Sequence, residues 1–307
     1  MDSVLDTQID VAMGFDRNYA PHAAVVIASI VRHATDAALR FIIVHDGVER
    51  ALQERVESVA PRAKFVWIQI GDDDVPEYET RGHLNRSVLF RLSLEKLAPA
   101  DCTRVIYIDA DTVVLRDIRE LWRSDITGYS IGAVVDCYLA AEKFAERWGL
   151  PMDAPKYFNA GVLLVDLARV RAEKSFSAAL DFVATHNQKL LLGDQDALNV
   201  VFWGRWKSVG ADWNVQRVRT QAEFEAELSP DRRLSPSGPA LVHYITDDKP
   251  WKADVWHHWA WLYWDNLKRT PFFDDVVRTY EVSLYRRLRM LVKWLRSRPR
   301  IRAAAPI

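Results

Sequence analysis

Between residues 9 and 70 short apolar runs alternate with segments of helical period, and no other feature restricts the fold as much. Residues 9–15 (IDVAMGF) read as a buried strand and 21–33 (PHAAVVIASIVRH) as an apolar helix. Residues 40–45 (RFIIVH) read as a strand, 49–59 as a helix with a polar face and 64–70 as a third strand. Repetition of strand and helix implies an α/β fold, a mostly parallel sheet covered by helices on both faces. Ligands of such sheets bind at the carboxyl ends of the strands. Further strands are expected at 104–108, 131–135, 161–165 and 241–244, and helices at 87–97, 175–186 and 194–202. Polar, turn-rich stretches at 71–82 and 220–239 read as loops.

Composition narrows the function classes. The formal net charge of the 307-residue chain is -1, which gives nucleic acid no overall attraction. Cys102 and Cys137 form neither a metal-type pair nor a disulfide framework, and a reducing compartment fits them. The opening MDSVLDTQIDVAMGF has acids and no basic, apolar leader pattern. No run reaches the ~18 apolar residues of a spanning helix. The expected location is cytoplasmic, with a peripheral membrane contact described below.

The segment VIYIDADTVVL carries the most chemistry. An apolar strand runs into Asp109-Ala110-Asp111, and residues i and i+2 of an extended chain point to one side. Two carboxylates so placed can share a hard divalent cation; equally, Asp is a good turn former after a buried strand. Two enzymatic readings compete. One is a nucleotide-sugar transferase, in which a cation neutralises a diphosphate leaving group. The other is a haloacid-dehalogenase-like phosphatase with Asp109 as nucleophile, which would put the motif on the first strand rather than after three others.

Residues elsewhere fit the pair. In LVHYITDDKPW, His243 stands at a strand end, where an imidazole can complete a site with two carboxylates, and Lys249 can neutralise a phosphate oxygen. Alone, such a His is more often a satisfied half-buried side chain. An O,O,N donor set favours Mn²⁺ over Mg²⁺. Asn159, just before an expected strand in YFNAGVLLVDL, can hydrogen-bond a hydroxyl-rich ligand. In LLGDQDALN, helix capping accounts for one acid but not for Asp194, Gln195 and Asp196 together.

Taken in order, FDRNYAPHAAVVIASI, LFRLSLEKL, RVIYIDADTVVLRDIRELW, YFNAGVLLVDL, GDQDALN and HYITDDKPW resemble glycosyltransferase family eight, over about residues 9–251. That family includes bacterial lipopolysaccharide galactosyl- and glucosyltransferases and glycogenin. The resemblance implies the GT-A fold, a nucleotide-diphospho-sugar transferase fold; the expected domain takes residues 1–270, and the pattern of the remaining residues gives a basic amphipathic helical tail at 271–307. It implies transfer of a hexose from UDP-glucose or UDP-galactose, with retention, to a saccharide or lipopolysaccharide-type acceptor. Asp109, Asp111 and His243 match metal ligands for Mn²⁺ or Mg²⁺, with Ala110 between the acids. Gly14, Asp16 and Asn18 match contacts to the uridine part, Arg91 a contact to donor phosphate or sugar, and Lys249 the diphosphate-binding Lys. Asn159 matches a residue around the donor sugar, and Asp194 and Gln195 match residues at the reacting carbon. Acceptor pockets of the family lie near Asp136 and residues 138–155. Thr246 replaces a Gly of the HxxGxxKPW motif, and a Gly-only conformation there would be costly to keep.

The implied reaction begins with departure of UDP, stabilised by the metal and Lys249. The acceptor then attacks an oxocarbenium-like sugar from the leaving-group face. Double displacement through Asp194 or Gln195 is the alternative. From Tyr285 the chain reads YRRLRMLVKWLRSRPRIRAAAPI. Leu288, Leu291, Val292 and Leu295 recur at helical spacing among arginines, as expected of a helix lying on an anionic bilayer. The bland counterpart is a helix packed on the domain with its charges in water.

Overall fold

The computed structural model describes residues 8–77, 86–153, 155–216, 238–252, 257, 259–285, 287–289, 291, 292 and 295. The strands are β1 (Ile9–Asp16), β2 (Leu39–Asp46), β3 (Lys64–Gln69), β4 (Arg104–Ile108), β5 (Thr112–Val114), β6 (Ile131–Val135), β7 (Phe158–Asp166), β8 (Lys207–Ser208), β9 (Val215–Gln216) and β10 (Leu241–His243). The helices are α1 (Ala20–His33), α2 (Arg50–Glu57), α3 (Leu94–Leu97), α4 (Ile118–Trp122), α5 (Ala141–Trp148), α6 (Leu167–Glu173), α7 (Ser175–His186), α8 (Asp194–Val201), α9 (Ala260–Leu267) and α10 (Phe273–Thr279).

The main sheet has the order β3-β2-β1-β4-β7-β6-β8, and β5-β10-β9 form a small second sheet. From β3 to β4 all pairings are parallel, while β7 runs antiparallel to both β4 and β6. The expected mostly parallel α/β sheet is therefore present in a mixed form. Its central strands carry apolar side chains towards both faces, because both are covered. Phe41, Ile43, Ile106 and Ile108 face one core with α1 and the C-terminal helices. Ile42, Val44, Val105 and Tyr107 alternate onto the other, which α6, α7 and α8 close.

Two expectations shift. The segment read as a helix at 87–97 is a 3₁₀ stretch, Arg86–Ser93, that passes into α3. Asn159, read as preceding a strand, lies inside β7, which extends its pairing with β6 through Val134↔Asn159 and Val135↔Phe158. The loop read at 220–239 lies almost wholly outside the described residues. Among the described residues no helix is long and apolar enough to cross a membrane. Phe272 and Val276 lie in the first core, and Val282 is also buried, whereas Leu284, Tyr285, Leu288, Leu291, Val292 and Leu295 are exposed.

Candidate active site

Strand pairing explains how distant residues meet. β4 ends at Ile108, so Asp109 emerges at the carboxyl edge of the parallel strands, its N–H donating to Gly161 O at 2.8 Å. β10 pairs antiparallel with β5, which sets His243 opposite Thr112, and Tyr244 N donates to Asp111 O at 2.9 Å. One ligand atom from each of Asp109, Asp111 and His243 lies within 4.8 Å of the others. His243 Nε2 is 3.2 Å from Asp111 Oδ1 and 3.9 Å from Asp109 Oδ2. The donor set suits a divalent cation, and Gly161 shows how closely it is cradled. A Cβ on Gly161 would stand 2.1 Å from His243 Cε1 and 2.7 Å from Asp109 Oδ2.

Charged groups surround these atoms. Lys249 Nζ donates to Asp111 Oδ2 at 2.5 Å and to Tyr244 O at 2.7 Å. Burial opposes ionisation of Asp111, yet Lys249 and His243 outweigh it and hold the carboxyl well below the usual range. Arg91, from the 3₁₀ segment, contacts Asp109 Oδ1 at 3.1 Å and donates to Ala160 O. Its Nε also meets Asp194 Oδ2 at 2.6 Å, an ion pair outside hydrogen-bond angles. Burial pushes the Asp194 carboxyl up to about 7 against the pull of Arg91. Tyr107 donates its hydroxyl to Asp109 Oδ1 at 2.9 Å.

A polar layer lies beneath. Gln195 accepts from Ala160 N at 3.0 Å through Oε1 and donates to Asp136 Oδ2 at 3.3 Å. Asn159 donates to Asp136 Oδ2 at 3.1 Å, and Asn214 Nδ2 donates to Asn159 Oδ1 at 2.9 Å. His243 Nδ1 lies 3.0 Å from Asn214 Oδ1. Asp196, from the same run as Asp194, turns away to accept from Tyr157 and from the N–H groups of Leu191 and Leu192.

These groups line a cleft of about 400 Å³. Arg91, Asp109, Ala110, Asp111, His243 and Lys249 form its floor, with Asn159, Asp194 and Gln195 beside them. Gly14 lines it too, and a Cβ there would stand 2.8 Å from Phe90 Cβ. Asp16 and Asn18 do not line the cleft. Asp16 Oδ1 accepts from Asn18 N at 2.9 Å and Tyr19 N at 3.2 Å, a turn that sets Phe15 and Tyr19 against the cleft. Thr246 lines it with φ +67°, so the conformation expected to be lost with glycine is kept by a β-branched residue. That costs ~1–2 kcal/mol.

Sequence reasoning missed Tyr107, Asn214 and the role of Gly161. Tyr107 sits two residues before Asp109 on the strand, so the side-sharing rule that paired the acids also pointed to it. Asn214 carries no local signal, since its partners come from other elements.

Comparison with known proteins places the chain in a family. General stress protein A of Bacillus subtilis is 27% identical over 268 residues, covering 84% of this chain and 92% of its own. Lipopolysaccharide 1,2-glucosyltransferase of Escherichia coli K12 is 26% identical over 278 residues, covering 88% and 80%. The crystal structure of the galactosyltransferase LgtC in complex with donor and acceptor sugar analogues superposes with a TM-score of 0.78 at 24% identity, over 89% of this chain and 100% of that one. That likeness shows the GT-A fold. No support emerges for the phosphatase alternative. A model described as glycosyl transferase family 8 matches residues 10–255, and the chain belongs to that family of glycosyltransferases.

Proposed function

We propose that the chain moves glucose or galactose from a UDP-sugar to a hydroxyl of a saccharide or lipopolysaccharide-type acceptor, with retention of configuration. The observation that carries this is the convergence of Asp109, Asp111 and His243 around the Gly161 cradle. These residues would hold Mn²⁺ (or Mg²⁺), which when bound offsets the charge that UDP gains on leaving. Lys249 trades its bond to Asp111 for a phosphate oxygen, and Arg91, paired with both Asp109 and Asp194, offsets the repulsion between the two carboxylates. Gly14, with Asp16 and Asn18 through the turn they form, shapes the uridine end. Asn159, Asp194 and Gln195 flank the transferred sugar, and the carboxylate of Asp194 serves either to steady positive charge or, in a double displacement, as nucleophile.

The acceptor enters over Tyr138, Leu139, Leu191 and Leu192, which line the cleft mouth. The catalytic unit drawn to residue 270 extends to about 282, because Phe272, Val276 and Val282 are buried. The basic tail after it meets an anionic membrane on the cytoplasmic side through its exposed apolar residues. The test is incubation with Mn²⁺ and a panel of UDP-sugars. Metal-dependent UDP release with one of them supports the reading, and its absence with all of them, alongside phosphate release from simple esters, rejects it. Binding to anionic liposomes that survives truncation at Ser283 would remove the membrane role.

A further inference from the structure

A hydrogen-bond chain joins Asp136, on the acceptor side of the cleft, to the imidazole of His243. Its direction follows from chemistry. As a carboxylate Asp136 only accepts, and its Oδ1 takes the N–H groups of Tyr138 at 2.8 Å and Leu139 at 3.1 Å. Oδ2 takes the amide NH₂ of Asn159 at 3.1 Å. The Asn159 oxygen must then point the other way, and Gly161 N–H, donating to it at 3.0 Å, fixes the same orientation independently. Asn214 presents its NH₂ to that oxygen at 2.9 Å, since the flipped amide would set oxygen against oxygen. Its own oxygen is left facing His243 Nδ1 at 3.0 Å. All four side chains are buried, at 2–6% exposure, and each is partnered within the chain.

We propose that Asn159 and Asn214 form an amide relay through which Asp136 keeps a proton on Nδ1 of His243, leaving Nε2 as the nitrogen that faces the cation position. The relay has a competitor. Asp111 Oδ1, at 3.2 Å from Nε2, draws a proton to that nitrogen, and an Nε2–H ring cannot ligate a metal. The bond from Nδ1–H to Asn214 opposes that transfer. Asn159 and Asn214 are thus positioning residues that act through His243, in the manner of partners that orient a metal-ligating imidazole. The tautomer follows from the hydrogen bonds alone; only its use in metal binding rests on the function proposed above.

The test is ¹⁵N NMR of histidine-labelled, metal-free protein at a pH where the ring is neutral, with the His243 signals identified by their loss in His243→Gln. The wild type should show the Nδ1–H form. Asn214→Leu should move the neutral ring to Nε2–H and weaken binding of Mn²⁺, titrated alone by calorimetry, by ~10–100-fold. Asn214→Asp, which keeps an acceptor against Nδ1, should retain Nδ1–H, and this arm decides the matter if the Leu variant does not fold. A wild-type ring in the Nε2–H form overturns the relay. So does an Asn214→Leu protein with unchanged tautomer and Mn²⁺ affinity, or an Asn214→Asp protein in the Nε2–H form. A wild type with Nδ1–H that binds no Mn²⁺ leaves the relay standing and refutes the metal-site reading instead.

Discussion

At the floor of the cleft, Asp109, Asp111, His243, Lys249, Arg91 and Asp194 lie within contact of one another, mostly buried and each held by a partner from a different element. At its mouth stand Tyr138, 49% exposed, and Leu191, 55% exposed, with Leu139 and Leu192 behind them. Charge at low dielectric is costly to misplace, so the floor admits little change. Apolar contacts at a rim are individually small and can repack. Under the function proposed above, the difference gives diphosphate handling to the floor and choice of acceptor to the mouth.

The largest effect should come from Asp111→Asn. Asp111 carries the Lys249 bond, faces His243 and supplies one of the candidate ligands. Mn²⁺-dependent UDP release should fall by on the order of 10³-fold. Retention of turnover would mean that the floor is not the reacting end. Gly161→Ala tests the same region without touching a charge. The added methyl lies well inside van der Waals contact distance of His243 Cε1, so the ring must move and Mn²⁺ affinity should drop ~10–100-fold in a calorimetric titration, with a lower Tm.

These residues also show what a sequence discloses. The acids were legible because a strand ending in Asp-x-Asp exposes both side chains on one side, and the sheet was legible because 41–44 and 105–108 are apolar at successive positions. The start of β7 was not, because Asn159 is polar and enters the strand through pairing with β6. Nor was the 3₁₀ character of Arg86–Ser93, since apolar spacing over one or two turns does not separate a period of 3.0 from 3.6. His243 meets the two acids only because β10 pairs with β5, a strand of three residues with no pattern of its own. Arg91 entered only by resemblance, because its ion pairs with Asp109 and Asp194 are made entirely by tertiary packing.

A pH experiment sharpens the floor further. Asp194 is pushed up to about 7 by burial, from an ordinary value of 3.8. Between those values the folded protein holds a proton that the unfolded chain has released, so this group makes stability fall as pH rises through that window. Asp194→Asn removes the slope. The variant should gain thermal stability over the wild type at pH 8 but not at pH 4, while turnover at pH 8 falls. A difference in Tm that is the same at both pH values would deny the buried, strained state of this carboxyl.

Thr246, just after β10, is a smaller departure. Its left-handed backbone lies in a turn that Lys249 Nζ closes by donating to Tyr244 O. Thr246→Gly should therefore stabilise the fold by ~1 kcal/mol, read as a higher midpoint in urea. No gain would mean that the loop relaxes out of that conformation in solution.

The smallest effect is expected at the mouth, and it separates the two ends most cleanly. Leu191 is held only by its backbone, whose N–H donates to Asp196 Oδ2 at 2.7 Å, while its side chain is exposed over the cleft. Truncation removes a partly buried apolar contact to whatever acceptor lies there, worth about 0.7 kcal/mol or roughly threefold in KM. With aryl and methyl glycosides as acceptor probes, Leu191→Ala should lose that factor for the aryl compounds and little for the methyl ones. Hydrolysis of the UDP-sugar without acceptor should not change, because the floor is untouched. If hydrolysis falls as far as transfer does, the mouth and floor are not separate devices, and acceptor choice must lie deeper in the cleft, among Asp136, Asn159 and Gln195.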